Sequence, residues 1–587
     1  MKSIDIEKII TERYPNILSN KPKIIKSFVF NILKKVLCIN TINDFLIANS
    51  NKYGIEFIDE LFEYLNFSYR IANKDVQKIP SEGRIICVAN HPIGSLDSLA
   101  LLKTISDIRT DVKIVANDVL TEIENLSHLI IPLNVFNGNM NRDSIIAIGK
   151  ALETEMAVIL FPAGEVSRLK WLTIQDSKWS KGAIYFAKKH NSPILPFFIE
   201  AKNSVLFYSV STIYKKLSTF LLPREVFNKK NKTITINIGD PIPAKAFTSN
   251  VINNKVQSKL LKAHVYSLNK ANKGIFITEK NIIHPIDRKI IKKELNNCLL
   301  LGVTPDNKKI IMTTKQESPK TLMEIARLRE LTFRKVGEGT GKKLDLDLFD
   351  EYYNHLVVWD ENELEIIGSY RIGNGEEIIK QYGTNGFYTT TLFNYSEVFI
   401  KTIMPNSVEL GRSFVQSKYW NTNALYYLWL GIGAYLANFP NVKYLFGGVS
   451  ISNSYPENIK QMMVYIYSKW FNDSNNYAKS KNKFILPIEK SNAFNTVFVG
   501  SSFKEDYKKL KQMLKPYGLT VPVLYKHYSD LCDNDGLKYL DFGVDGDFEN
   551  CVDGLILIDI NKIKEEKKNR YINCFYKDER NVLHMTS

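Results

Sequence analysis

The first part of the chain alternates short β-branched, apolar runs with longer stretches in which apolar residues recur every third or fourth position. The short runs predict buried strands and the periodic stretches predict helices. The predicted strands are Arg84–Ala89, Lys113–Val115, Leu129–Leu133, Ala157–Phe161, Ile194–Ile199 and Thr233–Ile238, and the predicted helices include Arg142–Thr154 and Lys181–His190. This alternation predicts an α/β domain.

The second half has a different order of elements. A helix is predicted over Thr321–Phe333, and two apolar runs close together predict a hairpin. The predicted strands are His355–Trp359, Ile366–Ile372, Ser407–Val415 and Tyr444–Gly448, with a long apolar helix from Asn423 between the last two. This order is typical of an acyltransferase fold of the GNAT type, so a second α/β domain is expected.

The longest stretch without a charged residue runs from Tyr419 to Val442. Its apolar part, Ala424–Ala437, is shorter than the ~20 residues that a membrane span requires. It therefore predicts a buried helix, and no transmembrane helix is expected in the chain.

Charge narrows the range of partners. The 587 residues contain 78 Lys and Arg against 62 Asp and Glu, for a net charge of +16, which favours anionic lipid, an acidic protein or nucleic acid. No zinc-finger spacing or RNA-binding signature occurs, so we expect no nucleic-acid partner. The stretch Pro22–Cys38 is apolar on one side and rich in lysine elsewhere. It predicts either a helix on an anionic membrane surface or an ordinary surface helix.

The six cysteines form no Cys-x-x-Cys pair, and no histidine lies at metal-ligand spacing from them. This pattern predicts free thiols in a reducing cytoplasm and no metal site. The first residues contain no apolar signal-peptide region. We therefore expect a cytoplasmic protein.

A histidine and an aspartate follow the first predicted strand, at Asn90–Asp97. Open α/β sheets carry their chemistry at strand ends, so His91 and Asp97 are candidate catalytic residues. The alternative is a structural histidine next to a helix N-cap aspartate. A second motif, Phe161–Arg168, follows the strand Ala157–Phe161. Its candidate ligand-binding residues are Gly164, Glu165, Ser167 and Arg168.

The motifs NHPxGxxD, FPAGEVSR and ILPF, in this order, resemble the glycerolipid acyltransferase superfamily, most closely its hemolysin-like branch. The resemblance covers roughly residues 75–250. It implies that His91 is the general base and that Asp97 orients it, while the Gly164 loop and Arg168 hold a phosphate of donor or acceptor. The common pattern has four residues between histidine and aspartate, whereas five lie between His91 and Asp97, as in the hemolysin-like branch.

Charged residues recur through the second half, and they are either site residues or ion pairs that support the fold. They are Arg327 and Arg329, Asp347 and Asp350, Arg371, Glu409 and Arg412. Their order resembles acyl-homoserine-lactone synthases and, more closely, N-acyltransferases that make lyso-ornithine lipid. The two halves together resemble bifunctional ornithine lipid synthases.

The resemblance implies roles for these residues. Glu409 is the candidate base. Asp347 and Asp350 would hold a cationic amino acid, and Arg371 or Arg412 would bind its carboxylate or the donor. Arg327 is a further candidate for substrate or donor binding. The loop Gln416–Asn423 contains no glycine, unlike the loop that binds a CoA pyrophosphate in GNAT enzymes, so an acyl carrier protein is the expected donor.

The sequence therefore predicts two acyl transfers at a membrane surface. A C-terminal GNAT-like domain would attach a 3-hydroxyacyl group to ornithine, and an N-terminal domain would esterify the new hydroxyl. Acyl carrier protein or CoA would carry the acyl groups, with no other cofactor. The expected parts are an N-terminal helical segment (1–75), the O-acyltransferase domain (76–250), a helical linker (251–305) and the N-acyltransferase domain (306–587).

Three alternatives remain open at this stage. The first is that the acceptor is another amino acid, such as glycine or lysine. The second is that the chain is a single glycerolipid acyltransferase whose C-terminal half docks the carrier protein, and the third is that it is a membrane-binding or lytic protein without enzymatic activity. If the protein is an enzyme, we expect it on the inner face of the cytoplasmic membrane as a peripheral protein.

Overall fold

The structure is a computed structural model, and it describes most of the chain from residue 37 to residue 576. The described residues are 27, 29–31, 34–35, 37–117, 120, 123–133, 142–170, 173–213, 218, 221–248, 252–270, 274–533 and 535–576. Most of the predicted basic helix Pro22–Cys38 lies outside them. The chain forms two compact units, Met1–His284 and Pro285–Ser587.

The first unit contains a seven-stranded sheet and a separate short hairpin. Its strands are β1 (Ser68–Arg70), β2 (Ile85–Ala89), β3 (Val112–Asn117), β4 (Ile130–Leu133), β5 (Ala157–Leu160), β6 (Arg168–Lys170), β7 (Thr173–Gln175), β8 (Ile194–Glu200) and β9 (Thr233–Ile238). The sheet order is β1-β9-β8-β2-β5-β3-β4, and only β8 and β9 pair in antiparallel fashion. Strands β6 and β7 form the hairpin.

Helices cover both faces of this sheet. In the described residues they are α1 (Ile39–Ala48), α2 (Gly54–Leu65), α3 (Asn73–Val76), α4 (Ser95–Ser106), α5 (Glu124–Ser127), α6 (Arg142–Glu153), α7 (Gly182–Lys189), α8 (Val205–Ile213), α9 (Leu222–Phe227) and α10 (Asn254–Ser267). All five residues of β2 are buried, as expected for a central strand with packing on both faces. The predicted α/β fold is confirmed, and every strand predicted in this unit is present.

The second unit is built on an eight-stranded sheet. The strands of the unit, eight of them in this sheet, are β10 (Leu299–Val303), β11 (Lys309–Thr313), β12 (Asn354–Asp360), β13 (Glu365–Asn374), β14 (Phe393–Tyr395), β15 (Ser407–Val415), β16 (Tyr444–Ile451), β17 (Ala478–Ser480), β18 (Leu537–Asp545) and β19 (Cys551–Asp559). The sheet order is β10-β11-β12-β13-β15-β16-β19-β18, and β14 pairs with β17 apart from it. The predicted hairpin is β12 and β13.

Strands β15 and β16 form the parallel pair of this antiparallel sheet. Within the described chain they pair only over Ser407–Glu409 and Tyr444–Phe446. Beyond those residues the described chain shows a gap in the pairing between 410–415 and 447–451, although the backbones of Leu410 and Gly447 still lie close together at its start. We call this gap the strand opening. It lies in the middle of the sheet, because β13 and β19 pair with the outer edges of the two strands.

The helices of the second unit surround the sheet. In the described residues they are α11 (Arg288–Leu295), α12 (Pro319–Val336), α13 (Gly375–Tyr382), α14 (Ala424–Asn438), α15 (Glu457–Trp470), α16 (Ile488–Val497), α17 (Phe503–Leu514), α18 (Val523–Ser529) and α19 (Glu565–Tyr571). Helix α14 is the predicted apolar helix, and most of its residues are buried. No helix in the described part of the chain is long and apolar enough to cross a membrane.

The segment expected to be a linker belongs to the two units instead. Helix α10 packs in the core of the first unit. Helix α11 and strand β10 lie in the second, where β10 pairs with β11. The second unit therefore begins near residue 285 rather than residue 306. The helices expected in this segment are present, but Ile291 and Leu295 supply an apolar side to α11 that is buried in the second unit.

Candidate active sites

His91 lies in the turn between β2 and α4 and faces Asp97. Its Nδ1 lies 3.0 Å from Oδ1 of Asp97, whose side chain is completely buried. The other carboxylate oxygen, Oδ2, accepts backbone hydrogen bonds from Ile93 at 2.8 Å and from Gly94 at 3.2 Å. A single carboxylate therefore holds the first turn of α4 and also contacts the imidazole.

The five-residue spacing between His91 and Asp97 is explained by Gly94. This residue caps α4 with φ +92°, a conformation that favours glycine. Asp97 is then the third residue of the helix, and its side chain returns to the backbone N–H of the cap residue, as in a capping box. The helix-capping interpretation of Asp97 is therefore confirmed, and its contact with His91 is compatible with the catalytic role, which stays a prediction.

The surroundings of His91 favour its protonated form more than water does. Burial alone lowers the pKa of His91, but the charge of Asp97, its hydrogen bond and the charge of Asp176 raise it above the ordinary value. The ring also packs on Phe161, with centroids 4.3 Å apart. With Nδ1 directed at Asp97, a neutral imidazole keeps its proton on Nδ1, and Nε2 is the basic nitrogen.

Asp176 is a buried residue of this site that the sequence analysis missed. It accepts hydrogen bonds from the backbone N–H of His91 at 3.2 Å and from Nε1 of Trp179 at 2.8 Å. The hydroxyl of Ser167 is bonded to it as well, and the backbone N–H of Ser167 donates to the carbonyl of His91 at 2.7 Å. Asp176 and Ser167 thus fix the backbone of His91. No motif marks Asp176, which stands 85 residues from its partner.

The predicted anion-binding loop after β5 makes internal contacts instead. Arg168 donates from Nη1 to the hydroxyl of Ser211 at 2.7 Å and to that of Ser218. Its guanidinium carbon lies 5.2 Å from the ring centroid of Phe207. Burial lowers the pKa of Arg168, and the charge of Glu165, 4.0 Å away, opposes this. Arg168 therefore anchors α8 to the loop.

Gly164 and Ser167 also differ from the expectation. A Cβ at Gly164 would meet no atom within 4 Å, so this residue is open to solvent, and its backbone N–H donates within the loop to the carbonyl of Phe161 at 3.0 Å. The Ser167 hydroxyl is buried and bonded to Asp176. Phosphate binding by this loop remains a prediction, and Gly164 and Glu165 are its accessible residues.

Three arginines and three aspartates form a buried cluster in the second unit. Arg329 on α12 donates to both oxygens of Asp350, at 2.9 Å and 2.8 Å, and its Nε lies 3.1 Å from Oδ2 of Asp345. All three side chains are at most 3% exposed. Burial alone would raise the pKa of Asp350, but the charges of Arg329 and Arg371 hold it far below its usual range.

Arg371 and Arg412 complete this cluster. Nη1 of Arg371 lies 2.6 Å from Oδ1 of Asp347, and Nη2 of Arg412 lies 3.5 Å from Oδ2. Nη1 of Arg412 lies 3.3 Å from Asp345. Both guanidinium carbons lie over the Tyr388 ring, at 5.1 Å and 5.2 Å. The sequence analysis grouped Asp347, Asp350, Arg371 and Arg412, and the structure places these four side chains together. Each aspartate of the cluster has an arginine partner.

Arg327 does not join the cluster. It pairs with Glu324 through two hydrogen bonds of 2.8 Å and 2.7 Å on its own helix. Residues two positions apart lie on different faces of a helix, so Arg327 and Arg329 cannot both face the aspartates. The expected role of Arg327 in substrate binding is therefore replaced by a role in the fold.

Glu409 is buried among donors rather than available to a substrate. Its oxygens accept the backbone N–H groups of Tyr388 at 3.1 Å and Thr389 at 2.8 Å, together with the hydroxyls of Tyr353 and Thr389. The residue is 2% exposed. Both oxygens of Glu409 are thus engaged by protein donors, so the geometry favours a positioning role over the expected role of base.

Comparisons with known proteins give a family match for each of the two units. The chain matches the family described as acyltransferase over residues 8–273, and the acetyltransferase (GNAT) domain over residues 328–430. A glycine N(alpha)-acyltransferase from Phocaeicola vulgatus is 36% identical over 320 residues, which cover 52% of this chain and 97% of that protein. This chain belongs to the acyltransferases.

Two further relatives extend this result to both halves of the acyltransferase. A lyso-glycine lipid O-acyltransferase from Phocaeicola vulgatus is 31% identical over 251 residues, 42% of this chain and 88% of that protein. An L-ornithine N(alpha)-acyltransferase from Agrobacterium fabrum is 30% identical over 113 residues, 18% of this chain and 38% of that protein. The expected combination of an acyltransferase domain with a GNAT domain is confirmed.

A further group of carboxylates lies at the strand opening of the acyltransferase, and the sequence analysis did not single it out. Asp553 on β19 is 5% exposed. Burial raises its pKa to about 6; the hydrogen bond from Ser450 opposes this and the charge of Asp545 adds to it. Burial and the charge of Asp553 raise the pKa of Glu338 to about 7. Glu338 stands in the glycine-rich loop after α12.

Asp553→Asn is expected to stabilise the acyltransferase increasingly as the pH rises. The folded pKa, about 6, lies above the ordinary value of 3.8. Ionisation of Asp553 therefore costs stability, and the cost is absent below about pH 4, grows through the folded pKa, and is complete above it. The two pKa values differ by about 2 units, which corresponds to roughly 3 kcal/mol.

Urea unfolding of wild type and variant at pH 4 and pH 8 measures this effect. The stability of the variant relative to wild type should be higher at pH 8 by up to that amount. The control is Glu397→Gln, which removes a carboxylate that is 85% exposed and should change stability by no more than about 0.5 kcal/mol. A difference between Asp553→Asn and wild type that is equal at both pH values would contradict the prediction.

The described residues of the acyltransferase contain no group of three or more His, Cys, Asp or Glu side chains suited to hold a metal ion.

Proposed function

We propose that the chain is a bifunctional aminolipid synthase that N-acylates glycine and then O-acylates the product. The observation that carries the proposal is that one chain covers most of two relatives, a glycine N(alpha)-acyltransferase and a lyso-glycine lipid O-acyltransferase, both from Phocaeicola vulgatus. N-acylation of glycine, the reaction in the name of the first enzyme, gives a one-chain glycine lipid, and the name of the second enzyme gives a lyso-glycine lipid as its acceptor. Both reactions in one protein would form a two-chain lipid without phosphorus.

Glycine is favoured over ornithine as the acceptor for two reasons. The match to the glycine enzyme covers 97% of that protein, against 38% for the ornithine enzyme. The sequence analysis expected Asp347 and Asp350 to hold a cationic amino acid, but both of them, and Asp345 beside them, pair with arginines. They leave no unbalanced charge for a second ammonium group. Ornithine remains the second candidate because of the shorter match.

The first unit would perform the ester-forming step. Nε2 of His91 takes the proton from the hydroxyl of the one-chain lipid as the oxygen attacks the thioester carbonyl, and Asp97 stabilises the imidazolium. The thiolate then leaves with that proton. Because the pKa of His91 is raised, the basic form is lost as the pH falls through this raised value, and O-acylation should decrease on the acid side.

The second unit would perform the amide-forming step at the strand opening. A small cavity there is lined by Leu410, Leu445, Phe446, Gly447, Gly448, Tyr528, Ile556 and Ile558. The unpaired parts of the facing edges of β15 and β16 offer backbone groups to which the amides of a phosphopantetheine arm can bind, as a peptide binds a sheet edge. Acyl carrier protein is the proposed donor, because its arm carries one phosphodiester and its acidic surface suits a basic chain.

Expression of the full chain in a host that lacks aminolipids tests the proposal. Cells fed labelled glycine should yield a labelled lipid with two acyl chains, one of them released by mild alkali as an ester. Label from ornithine in the same lipid class would select the second candidate. Recovery of unlabelled phospholipids alone would remove both. Purified protein with acyl carrier protein or CoA as the thioester carrier separates the donors, and equal turnover with both would contradict the proposed carrier.

A further inference from the structure

The acceptor amine needs a base, and the strand opening offers one that is not Glu409. The carboxylate of a free amino acid stabilises its own ammonium, so the pKa of that α-amine lies above the ~8 of a peptide amino terminus. At neutral pH nearly all of the acceptor is therefore protonated and cannot attack a thioester. Glu409, with its donors, is poorly placed to take that proton. Two other carboxylates near the opening, those of Asp553 and Glu338, accept fewer hydrogen bonds than Glu409 does.

We propose that Asp553 and Glu338 together form the general base of N-acyl transfer and receive the proton of the acceptor ammonium at the strand opening. The inference rests on the proposed function and specifies the residues that act there. It assigns to these two side chains a role that the order of motifs in the sequence did not suggest.

Asp553 projects from β19 toward β16 at the place where β16 leaves β15. Its backbone is paired opposite Ser450. Its Oδ2 lies 3.8 Å from the position that a Cβ of Gly448 would occupy, and Gly448 is exposed although its strand lies inside an eight-stranded sheet. The Sγ of Cys551 donates a long hydrogen bond of 3.4 Å to Oδ1. An open glycine backbone beside a buried carboxylate lets a substrate approach that carboxylate closely.

Glu338 is held at this place by the end of α12. Gly337 ends the helix with φ +79°, and the backbone N–H of Glu338 donates to the carbonyl of Phe333 at 2.9 Å. The Ser452 hydroxyl, just beyond β16, donates to the carbonyl of Val336 at 2.8 Å. Among the described residues no hydrogen bond or ion pair to the Glu338 carboxylate is found. It remains available to a ligand.

Single nitrogen atoms of Arg371 and Arg412 that lack a hydrogen-bond partner among the described residues indicate where the carboxylate of an amino acid would bind. Nη2 of Arg371, a residue 1% exposed, is buried and has no hydrogen-bond partner among the described residues. Nε of Arg412 is likewise buried without a hydrogen-bond partner among the described residues, whereas its Nη1 forms the ion pair with Asp345. Both arginines contact the ring of Tyr388, whose hydroxyl donates to Asp545 at 3.0 Å. An α-amino acid has a carboxylate for the guanidinium groups and an ammonium for the acids.

The electrostatics suit a base that works near neutral pH. The raised pKa values of Asp553, about 6, and Glu338, about 7, place both groups close to the ideal for proton transfer at that pH. The other charged or titratable side chains that face the pair are Asp545 of β18, Cys551 of β19, Arg412 of β15, Tyr388, Tyr455 and Tyr525. Two interacting carboxylates titrate as a pair, so a measured profile reports the pair.

The chemical step balances with these groups alone. The ammonium loses a proton to the carboxylate pair, and the nitrogen lone pair attacks the carbonyl carbon of the thioester. The carbon–sulfur bond then breaks and the amide carbonyl forms. The departing thiolate takes the proton from the carboxyl group, which restores the carboxylate, and the second proton of the amine passes to solvent.

The test measures amide formation by purified full-length protein from pH 5.5 to 9.5 for wild type, Asp553→Asn and Glu338→Gln. Asp553→Asn should lower kcat about 10²-fold near neutral pH with little change in KM for the amino acid. The loss should shrink toward the alkaline end of this range, because a growing fraction of the amine is then deprotonated without help. Glu338→Gln should show a smaller loss and an acid limb moved to lower pH, since one negative charge is gone.

Two controls make the outcome decisive. Esterification of supplied one-chain lipid by the same preparations reports whether the protein is folded, and Glu397→Gln removes an exposed carboxylate and should match wild type in both reactions. A loss that is equal at every pH indicates a structural role and overturns the proposal, as do unchanged rates in both variants. If wild type forms ester but no amide, the proposed function fails and the inference falls with it.

Discussion

Cells that express the His91→Ala variant are expected to accumulate the one-chain lipid and to form almost none of the two-chain product. Loss of a general base typically lowers the rate by ~10²–10⁴-fold. Alanine removes Nε2, and no other basic nitrogen is found within hydrogen-bond reach of Asp97 among the described residues. Amide formation should continue, because the residues assigned to it lie in the second unit.

The ratio of one-chain to two-chain lipid in extracts, measured by mass spectrometry, tests this expectation. His128→Ala is the matched control, because His128 is an exposed histidine of the same unit and its loss should leave the ratio unchanged. Persistence of the two-chain lipid in His91→Ala would show that His91 is not the base. Loss of both lipids would show that the first unit is needed for amide formation.

The His91–Asp97 pair could be predicted because both residues belong to one strand–turn–helix segment. Their separation is short, and the local backbone fixes it through Gly94 and the first turn of α4. Asp176 could not be predicted in the same way. It reaches His91 only after β6, β7 and the following segment have folded back to the end of β2, and no local pattern encodes that return.

In the second unit, the sequence identified the cluster but not the function of each member. Asp347, Asp350, Arg371 and Arg412 are brought together by three separate elements, and the order of motifs indicated this correctly. Which arginine of α12 faces them depends on the exact rotation of the helix, and the prediction favoured Arg327 where the structure has Arg329. The burial of Glu409 depends on a loop at 387–389 that no motif marks.

The same limitation applies to Asp553 and Glu338. A carboxylate acquires an unusual pKa from what surrounds it, and here the surroundings come from the end of α12, from β16 and from β18. Nothing in the sequence near either residue differs from an ordinary solvated acid. Candidate acids and bases of this kind are visible only when the distant segments are in place.

The Arg–Asp cluster leads to the largest expected effect on stability. In the variant Arg329→Met, Asp350 loses both bonds from Arg329, and Asp345 loses its partner at 3.1 Å. The site is 1% exposed, so water cannot replace the guanidinium. Removal of one partner of a buried ion pair typically costs about 3–5 kcal/mol. The longer contacts of Asp350 with Arg371, at 3.4 Å, and of Asp345 with Arg412, at 3.3 Å, compensate the remaining charges only in part.

Urea unfolding of the full-length protein measures this cost, and Lys401→Met is the matched control. Lys401 pairs with Glu397 at the surface, where the side chains are 72% and 85% exposed, and an exposed pair contributes only about 0–1 kcal/mol. The double variant Arg329→Met/Asp350→Asn should recover part of the loss, since it also removes the negative charge of Asp350, which loses both of its bonds from Arg329. If Arg329→Met unfolds at the same urea concentration as Lys401→Met, then the cluster is not a source of stability. Its charges would in that case be held in place by the fold for substrate binding alone.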